Sequence, residues 1–76
     1  MRDEIRRRIA VAITRLRTQR SWNKAELARR SGLDWSTVRR AESAKAPIRI
    51  DTLTRLATGL GVPVERLMES SNSVVH

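Results

Sequence analysis

NKAELARRSGLDWSTVRRAES, residues 23–43, places two short helical patterns on either side of one glycine. Asn23 opens the first. Glu26 follows three residues later, the capping-box spacing, with Asn in place of the usual Ser or Thr. Leu27 and Ala28 face inward, and Gly32 ends the helix where only glycine turns left-handed without penalty. Asp34 is a good N-cap for a second helix running to about Ser43. Val38 and Ala41, three apart, form its inward face. Two short helices joined by a glycine-containing turn make a helix-turn-helix: residues 24–31, a turn at 32–34, and residues 35–43. The outward side of the second helix mixes an indole, hydroxyls and adjacent arginines, which no core requires.

The flanking sequence supplies the packing surfaces. Residues 2–20 read as one amphipathic helix with Ile5, Ile9, Ile13 and Leu16 in a stripe, and Arg6, Arg7, Arg8, Arg15 and Arg20 off it. Trp22, just before the cap, is placed to staple the chain onto the core. Residues 44–50 form a loop broken by Pro47. Residues 52–60 predict a fourth helix with Leu53, Leu56, Ala57 and Leu60 inward, Asp51 as its cap, and Gly59 and Gly61 as its end. Pro63 suits the first turn of a fifth helix carrying Val64, Leu67 and Met68. With no strand alternation, the chain reads as an all-α, compact five-helix bundle. One domain spans residues 1–69, and residues 70–76 form a flexible C-terminal tail.

At 76 residues the chain holds one domain, and without cysteine it has no disulfide or thiolate metal site. No apolar run approaches the ~20 residues of a membrane span. Isoleucines and arginines interleave at the N-terminus, unlike a signal peptide. The only histidine is His76, and no cysteine nucleophile, glycine-rich phosphate loop or convergent carboxylate pair appears, so an enzyme, a metal and a cofactor are not expected. Lys and Arg number 16 against 8 Asp and Glu, a net charge of +8. Such an excess is the footprint of a nucleic-acid binder, or of a merely solvated basic surface. Arginine suits the former because its planar fork donates in pairs to phosphate and base edges. In a helix-turn-helix the second helix enters the major groove and meets base edges.

NKAELARRSGLDWSTVRRAE followed by IDTLTRLATGLGVPVERLM resembles the Cro and phage-repressor type of helix-turn-helix regulators, the XRE family. The likeness covers about residues 9–68, through the joint spacing of Leu27-Ala28, Gly32, Val38, Glu42, Leu53, Leu60-Gly61-Val62 and Leu67. It implies a lambda-repressor-like domain with helices two and three as the DNA-binding pair. It implies base reading by Trp35, Ser36 and Arg40. It implies backbone contact by Asn23, Lys24, Thr37, Arg39, Lys45 and Arg49, with Lys24 standing where glutamine is common. It also implies an ion pair of Arg17 with Glu42, against the alternative that Glu42 faces solvent. Trp35 either packs on a thymine methyl or inserts between helices.

The sequence departs from that pattern in three places. Ala44 replaces the glycine after the recognition helix and disfavours a left-handed exit. The loop proline is shifted to Pro47. Ala41 is smaller than the aliphatic expected before Glu42, so another side chain must fill its space. The function implied is a sequence-specific regulator, a repressor seated on a promoter. Its expected form is a homodimer on a palindromic operator, with recognition helices ~34 Å apart. Leu67, Met68, Val74 and Val75 are the dimer candidates. The location implied is the cytoplasm of a prokaryote or phage host, at the nucleoid. The alternative is an antitoxin-like module that holds a protein partner, with DNA binding secondary. A membrane-surface role for helix one is a further rival.

Overall fold

Asp3 and Glu4 put two carboxylates in the first turn of a helix, where the positive end of the helix dipole favours them. That helix, α1, spans Asp3–Gln19 and opens a computed structural model describing residues 3–68. The others are α2 (Lys24–Ser31), α3 (Trp35–Ser43), α4 (Ile50–Leu60) and α5 (Val64–Met68). Helix α2 packs on α3 and α4, while α1 packs on α5, α3 and α4. Ile9, Ile13, Leu27, Val38, Leu53, Leu56 and Leu67 are fully buried where these faces meet. Trp22, Leu33, Val62 and Val64 pack against that core.

Helix ends α2 and α4 stop in the same way. Gly32 (φ 68°) and Gly61 (φ 74°) adopt the left-handed conformation. The next N–H reaches back in each: Leu33 to Ala28 O at 2.9 Å, and Val62 to Ala57 O at 3.0 Å. Leu33 and Val62 then pack on the core, the hydrophobic contact that accompanies such caps.

Several expectations need correction. Ile5 is 37% exposed, so the α1 stripe begins at Ile9 and is completed by Ala10 and Ala12. Helix α4 begins at Ile50, with Arg49 as a backbone cap and no side-chain hydrogen bond. Asp51 therefore lies inside the helix and pairs with Arg55. Gly59 lies inside α4 too, where a Cβ would crowd Ser31 at the end of α2. Its lack of a side chain is a packing requirement, and Gly61 alone ends the helix. Glu26 does not complete a capping box. Asn23 Oδ1 accepts from the Glu26 N–H at 2.8 Å, but the Glu26 carboxylate turns to Arg29 and Arg30. Leu67 is fully buried in its own core, so it cannot line a dimer seam. Met68 is exposed, and Val74 and Val75 lie outside the described residues.

Candidate nucleic-acid interface

Helix α3 is held by its two ends and by one buried flank. At its start, Asp34 Oδ1 accepts from the Thr37 N–H at 2.7 Å. Hydrogen bonds from Thr37, its side chain first and its backbone second, hold the Asp34 carboxyl below its ordinary range. Asp34 is thus engaged as a cap. At the other end, Glu42 is nearly enclosed and accepts from Arg17 Nε at 2.7 Å and Arg17 Nη2 at 3.0 Å. Thr14 Oγ1 donates to the same carboxylate at 3.0 Å, and Arg17 Nη1 donates to Trp22 O at 2.8 Å. One guanidinium thereby joins α1, the turn before α2, and the end of α3. Glu42 does not face solvent.

Val38 and Ala41 bury the inner face. Trp35, Ser36, Arg39, Arg40 and Ser43 remain exposed on the other side. Trp35 is 50% exposed, so the indole stands outward instead of inserting between helices. The Arg39 guanidinium carbon lies 5.8 Å from its ring centroid. Ala44, despite its Cβ, makes the left-handed exit at φ 61°, ψ 20°. The loop path expected of glycine is kept, with strain at one residue.

Beyond Ala41 a cleft of about 110 Å³ opens, lined among others by Thr37, Arg40, Pro47, Arg49 and Thr52. Ile48, buried from the loop, takes part of the space a larger residue at Ala41 would use. No periodicity marked Ile48, because it stands alone in a proline-containing loop. Thr52, in the first turn of α4, also lines the cleft.

Charge is distributed unevenly. Asp3, Glu4, Glu26, Glu42 and Asp51 pair with Arg6, Arg8, Arg29, Arg30, Arg17 and Arg55. The pairing with Arg29 and Arg30 holds the Glu26 carboxyl below its ordinary range. Arg20 donates to Leu16 O at 2.8 Å and Leu60 O at 2.7 Å. Among the described residues, the cations without an acidic partner within salt-bridge distance are Arg7, Arg15, Arg20, Lys24, Arg39, Arg40, Lys45, Arg49 and Arg66, and of these Arg20 is held by the two carbonyls. Lys24, Arg39, Arg40, Lys45 and Arg49 fall on α2, α3 and the loop after it. Net charge alone gave no sign of this partition, although the i,i+3 and i,i+4 spacing of most pairs carries it. Asn23, also expected at the backbone, is exposed, with its side-chain oxygen already used as the α2 cap.

The described residues contain no cluster of His, Cys, Asp or Glu able to hold a metal ion, and no helix long and apolar enough to cross a membrane. The helix-turn-helix family model matches residues 13–67. Among curated proteins, none matches the sequence. The crystal structure of a hypothetical transcription factor, NHTF, from Neisseria is similar in fold, with a TM-score of 0.82 and 24% identity, over 99% of this chain and 91% of that one.

Proposed function

The chain belongs to the helix-turn-helix family, and on that premise we propose that it is a sequence-specific double-stranded DNA-binding transcriptional regulator. Helix α3 enters the major groove and presents Trp35, Ser36 and Arg40 to base edges. The observation that carries this reading is the position of the unpartnered cations. Lys24, Arg39, Arg40, Lys45 and Arg49 form no salt bridge among the described residues, so phosphate contact breaks no salt bridge. They release counterions from the duplex and supply affinity, while the outward α3 side chains supply preference. Arg40 takes guanine in the bidentate manner that arginine favours.

The regulator acts as a repressor by occupying promoter DNA, as a homodimer on a palindromic site. With Leu67 internal, Met68, exposed on α5, is the described residue that supports that dimer. The test is selection from a random duplex library at about physiological salt, followed by sequencing of what remains bound. A palindromic motif with fixed half-site spacing is expected. Salt-sensitive binding with no enriched motif would overturn the reading and leave the basic face as an electrostatic platform.

A further inference from the structure

We propose that Trp35 and Arg39 form one cation–π unit that reads a 5-methylpyrimidine followed by guanine. This rests on α3 being the recognition helix, and it moves Arg39 from the phosphate backbone to the bases.

The two residues lie four apart, on one face of the helix, with the guanidinium carbon 5.8 Å from the indole centroid. Trp35 is half exposed. Arg39 makes no hydrogen bond or ion pair within the described residues, so its donors are unspent. Trp22 shows the contrast. Arg30 and Arg20 lie 4.2 and 5.7 Å from its ring centroid, but Arg30 is bound to Glu26 and Arg20 to two carbonyls. Trp22 also packs against the core. Of the two indoles, only Trp35 pairs an open apolar surface with an uncommitted guanidinium.

Each half of this pair matches one feature of the major groove. The C5 methyl group is the apolar feature of its base edges, carried by thymine and by 5-methylcytosine, and an apolar side chain meets it by contact. Guanine presents O6 and N7 together, which suits a bidentate guanidinium. A guanidinium that meets an indole only through its π face keeps its N–H groups free to donate. Bases on one strand rise ~3.4 Å per step, so neighbouring side chains on one helix face reach successive bases. The step read is TG, or CG carrying a methyl on its cytosine.

The experiment uses the whole chain with two random duplex libraries, one unmodified and one methylated at C5 of CG cytosines. In the unmodified library the recovered motif should hold TG at a fixed position. In the methylated library, methylated CG should appear at that same position, whereas exclusive recovery of TG would assign the preference to thymine. On single duplexes, uracil for thymine, or cytosine for 5-methylcytosine, should weaken binding about fourfold, the worth of one buried methyl. Trp35→Ala should erase that methyl effect, and Arg39→Ala should relax the guanine by about fivefold or more. Arg40→Ala should leave the step intact. A motif without such a step, or one that survives uracil substitution and Arg39→Ala unchanged, overturns the paired reader alone. Absence of any motif in both libraries overturns the DNA-reading function beneath it.

Discussion

Arg17 and Glu42, 25 residues apart in the chain, meet through two hydrogen bonds of 2.7 and 3.0 Å while their side chains are only 12% and 6% exposed. Removing one partner strands the other charge in a place water barely reaches. Arg17→Met or Glu42→Leu alone should therefore destabilise by about 3–5 kcal/mol. The double substitution should cost clearly less than the sum of the singles. Urea unfolding of all four proteins checks this, and additive losses would show that the pair is not coupled.

Ala44 supplies a test of the opposite sign. A side chain at φ 61° carries a steric cost that glycine avoids. Ala44→Gly should stabilise the domain by about 0.5–1 kcal/mol, net of glycine's larger unfolded-state entropy. A raised melting temperature checks it.

Gly59 separates helix propensity from packing. On an open helix surface, glycine to alanine gains about 1 kcal/mol. At Gly59 the new Cβ would lie 3.0 Å from Ser31 Cα and 3.1 Å from the Arg30 carbonyl carbon, and closer still to Ser31 Oγ. Gly59→Ala should destabilise by about 1–3 kcal/mol, the range for overpacking. Denaturant midpoints decide the sign.

The Asp34 cap sets a pH dependence. Its carboxyl is lowered by hydrogen bonds from Thr37, so it stays charged in the folded state at pH values where the unfolded chain takes up a proton. Its contribution is present above the ordinary carboxylate range and is lost as pH falls through the depressed folded value. Carbon-detected NMR titration should show Asp34 titrating below its ordinary range. Thr37→Val, which removes the hydroxyl and keeps the N–H, should move it upward.

Lys24 addresses the duplex electrostatically. Lys24→Ala should weaken binding to all sequences alike. It should also reduce the slope of log affinity against log salt by about 0.9, the value of one phosphate contact. A change confined to one base position would assign Lys24 to base reading instead.

The helix-turn-helix was legible because its signals are local. Asn23, Gly32 and Asp34 each act within three residues, and α2 and α3 begin and end where those signals place them. The errors fall where a distant contact outweighs a local preference. Gly59 resembles a helix stop until Ser31 is known to lie against it. Leu67 resembles a dimer contact until α1 is seen to bury it beside α4. Asp51 resembles a cap, yet Arg49 begins the helix with its backbone alone. In the candidate interface, the indole's exposure and the approach of Arg39 to its ring depend on side-chain direction, which residue spacing leaves open.

The two tryptophans have a practical consequence. The chain has no tyrosine or phenylalanine, so its ultraviolet emission comes from Trp22 and Trp35 alone. Trp22 packs against the core under Arg30, and Trp35 stands half in solvent on α3. One fluorophore is thus a gauge of whether the chain is folded, and the other of whether its outer helix is covered. Trp35→Phe leaves a protein whose colour shift reports melting, and Trp22→Phe leaves one whose quenching reports docking. The molecule carries separate optical channels for two events that a single signal would confuse.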